Sequence, residues 1–289
     1  MKKILSLFVV TLLSSAFMPS IFAQGTGSTV IGLPYKEIHA KHDVAMPYQY
    51  VREADVMWSK IVWRRIELSE KRNHILYEPT VPIGSKASLI DVILEGIETK
   101  GLTAFKAKIT DAGNEFDIIM KEDEINQQMG AETRVEATLD QNGNVDSTTI
   151  EIPYNSADVK SYLVKELWFF DKQRSVLDVR IIGICPIREY FRATDPDHLD
   201  PQYKKLFWVY YPEVRPLLAE SPVYNPKTDV SNLTYDDIFQ KRFFSSFVFM
   251  ESNPYNRIIS EYESGLEALL EGERVKEKIF NFEQDLWEY

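Results

Sequence analysis

Cysteine is almost absent from this 289-residue chain, in which Cys185 is the only one. A single cysteine excludes an internal disulfide, so the fold must be stabilised by its hydrophobic core. Cys185 stands between Ile184 and Pro186 in an apolar run. That setting predicts a buried structural thiol rather than a catalytic nucleophile.

Histidine is also scarce, with four in the chain. The sequence contains no HExxH zinc motif, no GxSxG nucleophile elbow and no GxxxxGKS/T phosphate loop. His39 and His42, beside Glu37 and Asp43, offer metal ligands, but no helical pattern aligns them. We therefore expect no enzymatic activity, no metal and no cofactor. A hydrolase that uses two carboxylates stays open as an alternative, because such a pair has no sequence signature.

Positive charge is in deficit. The chain has 33 Lys and Arg against 44 Asp and Glu, which gives a formal net charge of -11. Phosphate-rich surfaces repel so acidic a chain, so we expect no nucleic-acid partner and no binding to anionic lipid. Basic protein surfaces are the partners that this charge favours.

A long uninterrupted apolar run is missing as well. Lys2 and Lys3 precede an apolar stretch at residues 4–22 that Ser14 and Pro19 interrupt. A membrane-spanning helix needs about 20 uninterrupted apolar residues, whereas a charged start followed by a broken apolar stretch is typical of a secretory signal peptide. We predict a signal peptide at residues 1–23, cleaved after Ala23. No cysteine follows the cut, so we expect export without a lipid anchor of its own.

The remaining chain divides into two parts. Residues 24–52 are rich in glycine and proline with little periodicity, which predicts an extended N-terminal arm. Residues 53–289 are predicted to form one α+β domain of one or two lobes. Its centre is the stretch from Ser161 to Ile187, where two apolar, β-rich runs flank the short polar connection DKQR. This connection allows an antiparallel hairpin, so we predict a central antiparallel or mixed sheet with flanking helices and a helical C-terminal part.

The segment from Glu53 to Arg72 has apolar residues at the helical period and is predicted to be a helix. On that helix Val56 and Trp63 would lie opposite the apolar stripe. An exposed tryptophan there would be an anchor for a partner. The alternative is that the chain itself covers both sides of the helix.

Two more helices are predicted at 89–102, with Gly101 as a stop, and at 121–129, before Gly130. Between residues 132 and 152 the DQNGN sequence predicts a β-hairpin, because Asn142-Gly143 suits a type I′ turn. Its alternating Asp and Asn residues also permit a calcium loop. However, the glycine of an EF-hand loop stands sixth, and here it stands fourth.

The last third of the chain is predicted to be mainly helical. Asp200-Pro201 would begin a helix carrying a dense aromatic group, which predicts either core or a platform for sugars or peptides. These aromatic residues are Phe207, Trp208, Tyr210 and Tyr211. Thr234 with Asp237 predicts a capping box. A long helix would follow Asn253-Pro254, and Gly272 would break the phase of its apolar stripe. The amphipathic tail after it must dock on the chain itself or on a neighbour.

Several ordered strings in this sequence resemble the GldN/PorN family of gliding motility and type IX secretion. They are DVMWSKIVWRRIELSEKRN (55–73), WFFDKQRS (168–175), VRIIGI (179–184), LFWVYYPEVRP (206–216), VYNPKTD (223–229), DDIFQKRFFSS (236–246), ESNPYNR (251–257) and IFNFEQDLW (279–287). The resemblance implies a non-enzymatic, periplasmic ring component with no catalytic residues.

The same resemblance implies two partners. One is an outer-membrane lipoprotein of the GldK/PorK type, with which the protein would form a ring, and the other is the periplasmic part of a motor protein of the GldM/PorM type. For these contacts we predict Trp63, Phe282, Leu286 and Trp287. The alternative function is a periplasmic glycan- or peptide-binding module that uses the aromatic group at 207–211.

Overall fold

The computed structural model describes residues 44–108, 115–139, 145–192, 195, 199–225, 233–255 and 257–287. The predicted signal peptide, most of the predicted arm, His39 and His42, and the turn at 140–144 with its calcium alternative lie outside these residues. The strands are Val56–Glu67 (β1), Ala104–Lys106 (β2), Glu132–Leu139 (β3), Val145–Ile152 (β4), Val159–Asp171 (β5), Val176–Tyr190 (β6), Gln202–Lys205 (β7), Phe207–Tyr210 (β8) and Phe247–Glu251 (β9). The α-helices are His74–Tyr77 (α1), Leu89–Lys100 (α2), Glu122–Met129 (α3), Tyr211–Glu220 (α4), Tyr235–Gln240 (α5) and Leu266–Trp287 (α6).

A seven-stranded antiparallel sheet forms the centre of the described chain, which confirms the predicted α+β class. The strand order is β2-β8-β6-β5-β1-β9, and β7 pairs with the far end of β6. The predicted hairpin is confirmed as β5 and β6, which pair from Val159 opposite Arg188 to Asp171 opposite Val176. Separately, β3 and β4 pair antiparallel, with Leu139 opposite Val145.

The predicted helix at 53–72 is wrong, because most of this segment is strand β1. It pairs with β5 along its length and with β9 from Val62 to Arg65. Valine, isoleucine and tryptophan favour extended backbone, and hydrogen bonds to two neighbouring strands outweigh a helical spacing of apolar residues. Alternation along β1 places Val62 and Ile66 on one face of the sheet and Trp63 on the other.

The first face of the sheet carries the main core. Helices α2, α4 and α5 cover it at one end, where Ile66, Val164 and Phe207 are among the buried residues. The two predicted helices are confirmed as α2 and α3, and each ends at a glycine with positive φ, Gly101 and Gly130. The capping box predicted from Thr234 and Asp237 is confirmed at the start of α5.

The predicted helix beginning at Asp200-Pro201 is also wrong. Strands β7 and β8 occupy residues 202–205 and 207–210, and helix α4 begins only at Tyr211. Strand alternation divides the aromatic group between the two faces: Phe207 belongs to the main core, whereas Trp208 packs with Trp63 and Cys185 on the second face. The buried thiol of Cys185 agrees with its predicted structural role.

Candidate partner-binding surface

Helix α6 is one continuous helix from Leu266 to Trp287. The predicted start after Asn253-Pro254 is wrong, because the helix begins at Leu266. The phase of its apolar residues does change at Gly272, since the leucines before it are exposed and Val275 and Ile279 after it are buried. A Cβ atom at Gly272 would lie 2.9 Å from the backbone oxygen of Val248, so glycine at this position lets α6 lie directly against β9. The close approach explains the glycine without a break in the helix.

Helix α6 covers the first face of the sheet at the end that α2, α4 and α5 leave open. Val275 and Ile279 are buried there in a small cluster with Val62 and Val248. Their spacing along the helix gives a narrow apolar stripe, since residues three or four apart share a face. Further along, the ring of Phe282 lies 4.8 Å from that of Trp58, centroid to centroid.

The four predicted contact residues fall in different environments. Phe282 is half-buried against Trp58 of its own chain, and Leu286 and Trp287 belong to the last turn of α6, with side chains outside the described set. Trp63, predicted as an exposed anchor on a helix, is only 3% exposed and lies within the sheet. Its indole N–H donates to Glu115 Oε1 at 3.0 Å, and Lys165 Nζ lies 5.2 Å from its ring centroid.

A groove of about 420 Å³ runs between α6 and the end of the β5–β6 hairpin. We call it the α6 groove; its lining residues are Trp168, Leu177, Glu273, Lys276, Glu277, Ile279, Phe280 and Glu283. Trp168, Leu177 and Ile279 form an apolar floor continuous with the small cluster under α6. Phe280 stands at the edge with 55% of its surface exposed.

Buried polar groups hold the floor of the groove in place. The indole N–H of Trp168 donates to Glu166 Oε2 at 3.0 Å, and the guanidinium of Arg242 donates to Glu166 Oε1 at 2.8 Å. Glu166 is fully buried, so both hydrogen bonds offset the cost of removing its carboxylate from water. These hydrogen bonds help to orient the Trp168 ring, which also packs against the cluster under α6.

The wall of the groove is acidic. It carries Glu273, Glu277 and Glu283, and its one cation, Lys276, lies 3.1 Å from the carboxylate of Glu273. At neutral pH the wall therefore has two negative charges in excess. The sequence shows these acidic residues on a helical segment, but not that they border an apolar floor.

Three more apolar side chains extend the exposed surface towards the start of α6. Leu266, Leu269 and Leu270 are 70%, 48% and 43% exposed, and we call them the leucine row. By the helical period they lie on the same side of α6 as Glu273, Glu277 and Phe280. The leucine row and the α6 groove thus form one elongated surface.

A second polar cluster, which the sequence did not reveal, lies buried beside α4. The carboxylate of Asp236 accepts hydrogen bonds from the Tyr211 hydroxyl at 2.9 Å and from Arg215 Nε at 3.0 Å. Burial, followed by the nearby Asp236 charge, raises the pKa of Tyr211 far above its usual range, so the hydroxyl keeps its proton and donates. Arg215 also donates to the backbone oxygen of Met46, and its guanidinium carbon lies 4.3 Å from the centroid of the Tyr48 ring. These two contacts hold residues 46–48 against the domain.

Other candidate sites offer little to a ligand. Phe207, Trp208 and Tyr211 of the aromatic group are fully buried, so only Tyr210 presents a ring to solvent. Within the described ranges, no three His, Cys, Asp or Glu side chains come together as a metal site. No helix in the part of the chain that the structure describes is long and apolar enough to cross a membrane.

The α6 groove could not be found from sequence, because two residues of its floor, Trp168 and Leu177, lie about a hundred residues from its wall in the chain. The sequence pattern predicts that Trp168 and Leu177 lie in strands and that Phe280 lies in an amphipathic tail. The nearest sequence signal is the amphipathic tail of this helix, which is predicted to dock on the chain itself or on a neighbour.

Comparison with known proteins identifies a family that this chain matches. The model of a family described as gliding motility associated protein GldN matches residues 51–288, which include every strand and helix described above. No curated protein matches the chain.

Proposed function

The chain belongs to the GldN family of gliding motility associated proteins, and from this premise we propose that it is a non-enzymatic structural subunit of the gliding and type IX secretion machinery. In this proposal the predicted signal peptide directs it to the periplasm. There it forms a ring with an outer-membrane lipoprotein of the GldK/PorK type and contacts the periplasmic part of a GldM/PorM-type motor protein.

The observation that supports this function best is the surface of α6. A helix held to its own domain by a narrow stripe exposes Phe280 and the leucine row, beside a groove with an apolar floor. Contiguous exposed apolar surface rimmed by polar residues is characteristic of protein–protein contact sites. The contact surface that we propose is therefore α6 with its last turn, where Phe282, Leu286 and Trp287 lie.

Trp63 contributes to this surface only indirectly. Its ring is buried and hydrogen-bonded, so in the folded domain it has no free face for a partner. We propose that Trp63 supports the sheet and that contact with a partner falls to the C-terminal residues.

The experiment is co-expression of the full-length protein with a tagged GldK/PorK-type lipoprotein, followed by purification through the tag. We expect co-purification in a particle much larger than either chain, measured by light scattering, with rings in electron micrographs. Recovery of the protein as a clean monomer, with the lipoprotein present and folded, would contradict the proposal.

Two tryptophan variants separate contact from core in the same assay. We expect Trp287→Ala to weaken assembly while the melting temperature stays close to that of the wild type. Trp63→Ala should instead destabilise the domain by about 3–5 kcal/mol, as large truncations of buried aromatics do. Equal loss of stability in both variants would assign Trp287 to the core. Phe243→Ala, at an aromatic residue 45% exposed outside α6, serves as the control for assembly.

A further inference from the structure

We propose that the α6 groove and the leucine row bind a basic amphipathic helix of a partner protein. This inference rests on the proposed function and adds to it the chemistry of the partner. It is drawn from three features of the surface: its apolar residues, its charge and its length.

The apolar residues require an occupant with large apolar side chains. Trp168, Leu177 and Ile279 line the floor, and the groove of about 420 Å³ is of a size that takes several side chains or a small ligand. Phe280 and the leucine row continue the apolar surface outside the groove. Burial of this surface in a complex would remove it from water, which is favourable roughly in proportion to its area.

The charge of the wall selects a basic occupant. Glu273 has Lys276 as a neighbour at 3.1 Å, whereas among the described residues no ion pair involves Glu277 or Glu283. An acidic segment would be repelled at these two positions, and a lysine or arginine would be attracted. The same charge disfavours anionic lipid and nucleic acid as occupants.

The length of the surface matches a helix. From Leu266 to Glu283 it follows α6 for about 26 Å, at 1.5 Å per residue. The exposed residues on this side of α6 recur every three or four residues, with the leucine row at one end, Phe280 at the other, and Glu273 and Glu277 between them. This is the spacing with which a second helix packs alongside. An amphipathic helix that lies in a groove is an established mode of recognition between proteins.

The test uses the purified full-length protein and a fluorescein-labelled synthetic peptide as the probe. The peptide has about 18 residues, to match the length of the surface, with leucine and phenylalanine at the helical period and lysine on both flanks. One control peptide replaces each lysine with glutamate, and another has the same composition in scrambled order. We expect fluorescence anisotropy to show binding of the first peptide and much weaker binding of both controls.

Matched charge reversals on α6 locate the binding. Glu277→Lys and Glu283→Lys, made as separate variants, each reverse one groove residue and should each weaken binding by about fivefold or more, which corresponds to about 1 kcal/mol. Asp285→Lys makes the same kind of change at an exposed residue of α6 outside the groove, and should change binding by less than about twofold, as for a peripheral charge. Phe280→Ala should weaken binding without lowering the melting temperature.

Equal losses from the groove reversals and from Asp285→Lys would overturn the inference, because binding would then reflect only overall acidity. Tight binding of the glutamate peptide, or no binding of the lysine peptide, would also overturn it. Assembly with the lipoprotein is measured in parallel for each variant. A wild-type protein that assembles but does not bind the lysine peptide rejects this inference alone, whereas failure to assemble rejects the proposed function.

Discussion

Helices α4 and α6 both cover the sheet, but they differ in how much of their surface is buried. Six of the ten residues of α4 are buried, including Leu217 and Leu218. In α6, from Leu266 to Asp285, only Gly272, Val275 and Ile279 are buried. Helix α4 is thus part of the core, whereas α6 contacts the core through a narrow stripe only. Most of the surface of α6 is therefore exposed and can contact a partner.

The ion pairs of the two helices differ in the same way. Arg215 of α4 pairs with Asp236 where both side chains are largely buried, at 3.0 Å. In α6 the carboxylate of Glu273 pairs with Lys276 on the surface, with both side chains more than half exposed. Exposed pairs contribute little because water and salt screen them, whereas loss of one partner of a buried pair leaves an uncompensated charge.

The largest expected effect comes from breaking the buried pair. Asp236→Ala leaves Arg215 and the Tyr211 hydroxyl without their acceptor, and we expect a loss of about 3–5 kcal/mol in the free energy of unfolding. Glu273→Ala is the matched change on α6 and should cost about 1 kcal/mol or less. Urea denaturation of both variants measures their free energies of unfolding. Similar losses in the two variants would contradict the proposed difference between the helices.

Two leucines give the next test. Leu218 is 0% exposed in α4 and Leu269 is 48% exposed in α6. We expect Leu218→Ala to destabilise the domain by about 2–5 kcal/mol, since it opens a cavity in the core. Leu269→Ala should stay within about 0.5 kcal/mol of the wild type, as a surface substitution. A large destabilisation by Leu269→Ala would show that the leucine row is covered by the chain itself.

The smallest expected effect is at the contact between α6 and the sheet. Alanine in place of an ordinary helical glycine stabilises a helix by about 1 kcal/mol. At Gly272 the new methyl group would meet the backbone oxygen of Val248, which cannot move like a side chain. We expect Gly272→Ala to destabilise by about 1–3 kcal/mol, the usual range for overpacking. Faster hydrogen exchange confined to α6 and β9 would locate the change; a gain in stability would contradict the close contact.

The sequence predicted elements whose local signals agree with one another. In the β5–β6 hairpin, β-rich composition, the short polar turn and apolar character on both faces all indicated central strands. The ends of α2 and α3 were predicted because glycine marks a helix end by its own backbone preference, which needs no knowledge of the rest of the fold.

The errors fall where distant residues decide the structure. The apolar residues of β1 fit a helical period as well as an extended one, and only pairing with β5 and β9 decides between them. The helix prediction for the segment after Asp200 was wrong for the same reason, because the pairing of β8 with β2 and β6 makes this segment a strand. The candidate site depends even more on such packing, because Trp168 meets α6 only in the folded domain.

Glu166 connects the two coverings of the sheet. Arg242, which follows α5, and Trp168, in the floor of the α6 groove, both donate to its carboxylate. A partner side chain that turns the Trp168 ring would therefore change the hydrogen bonding of the same carboxylate that positions Arg242. Occupancy of the groove would thus reach the loop after α5 at short range, because the guanidinium of Arg242 also lies 5.6 Å from the Trp168 ring centroid.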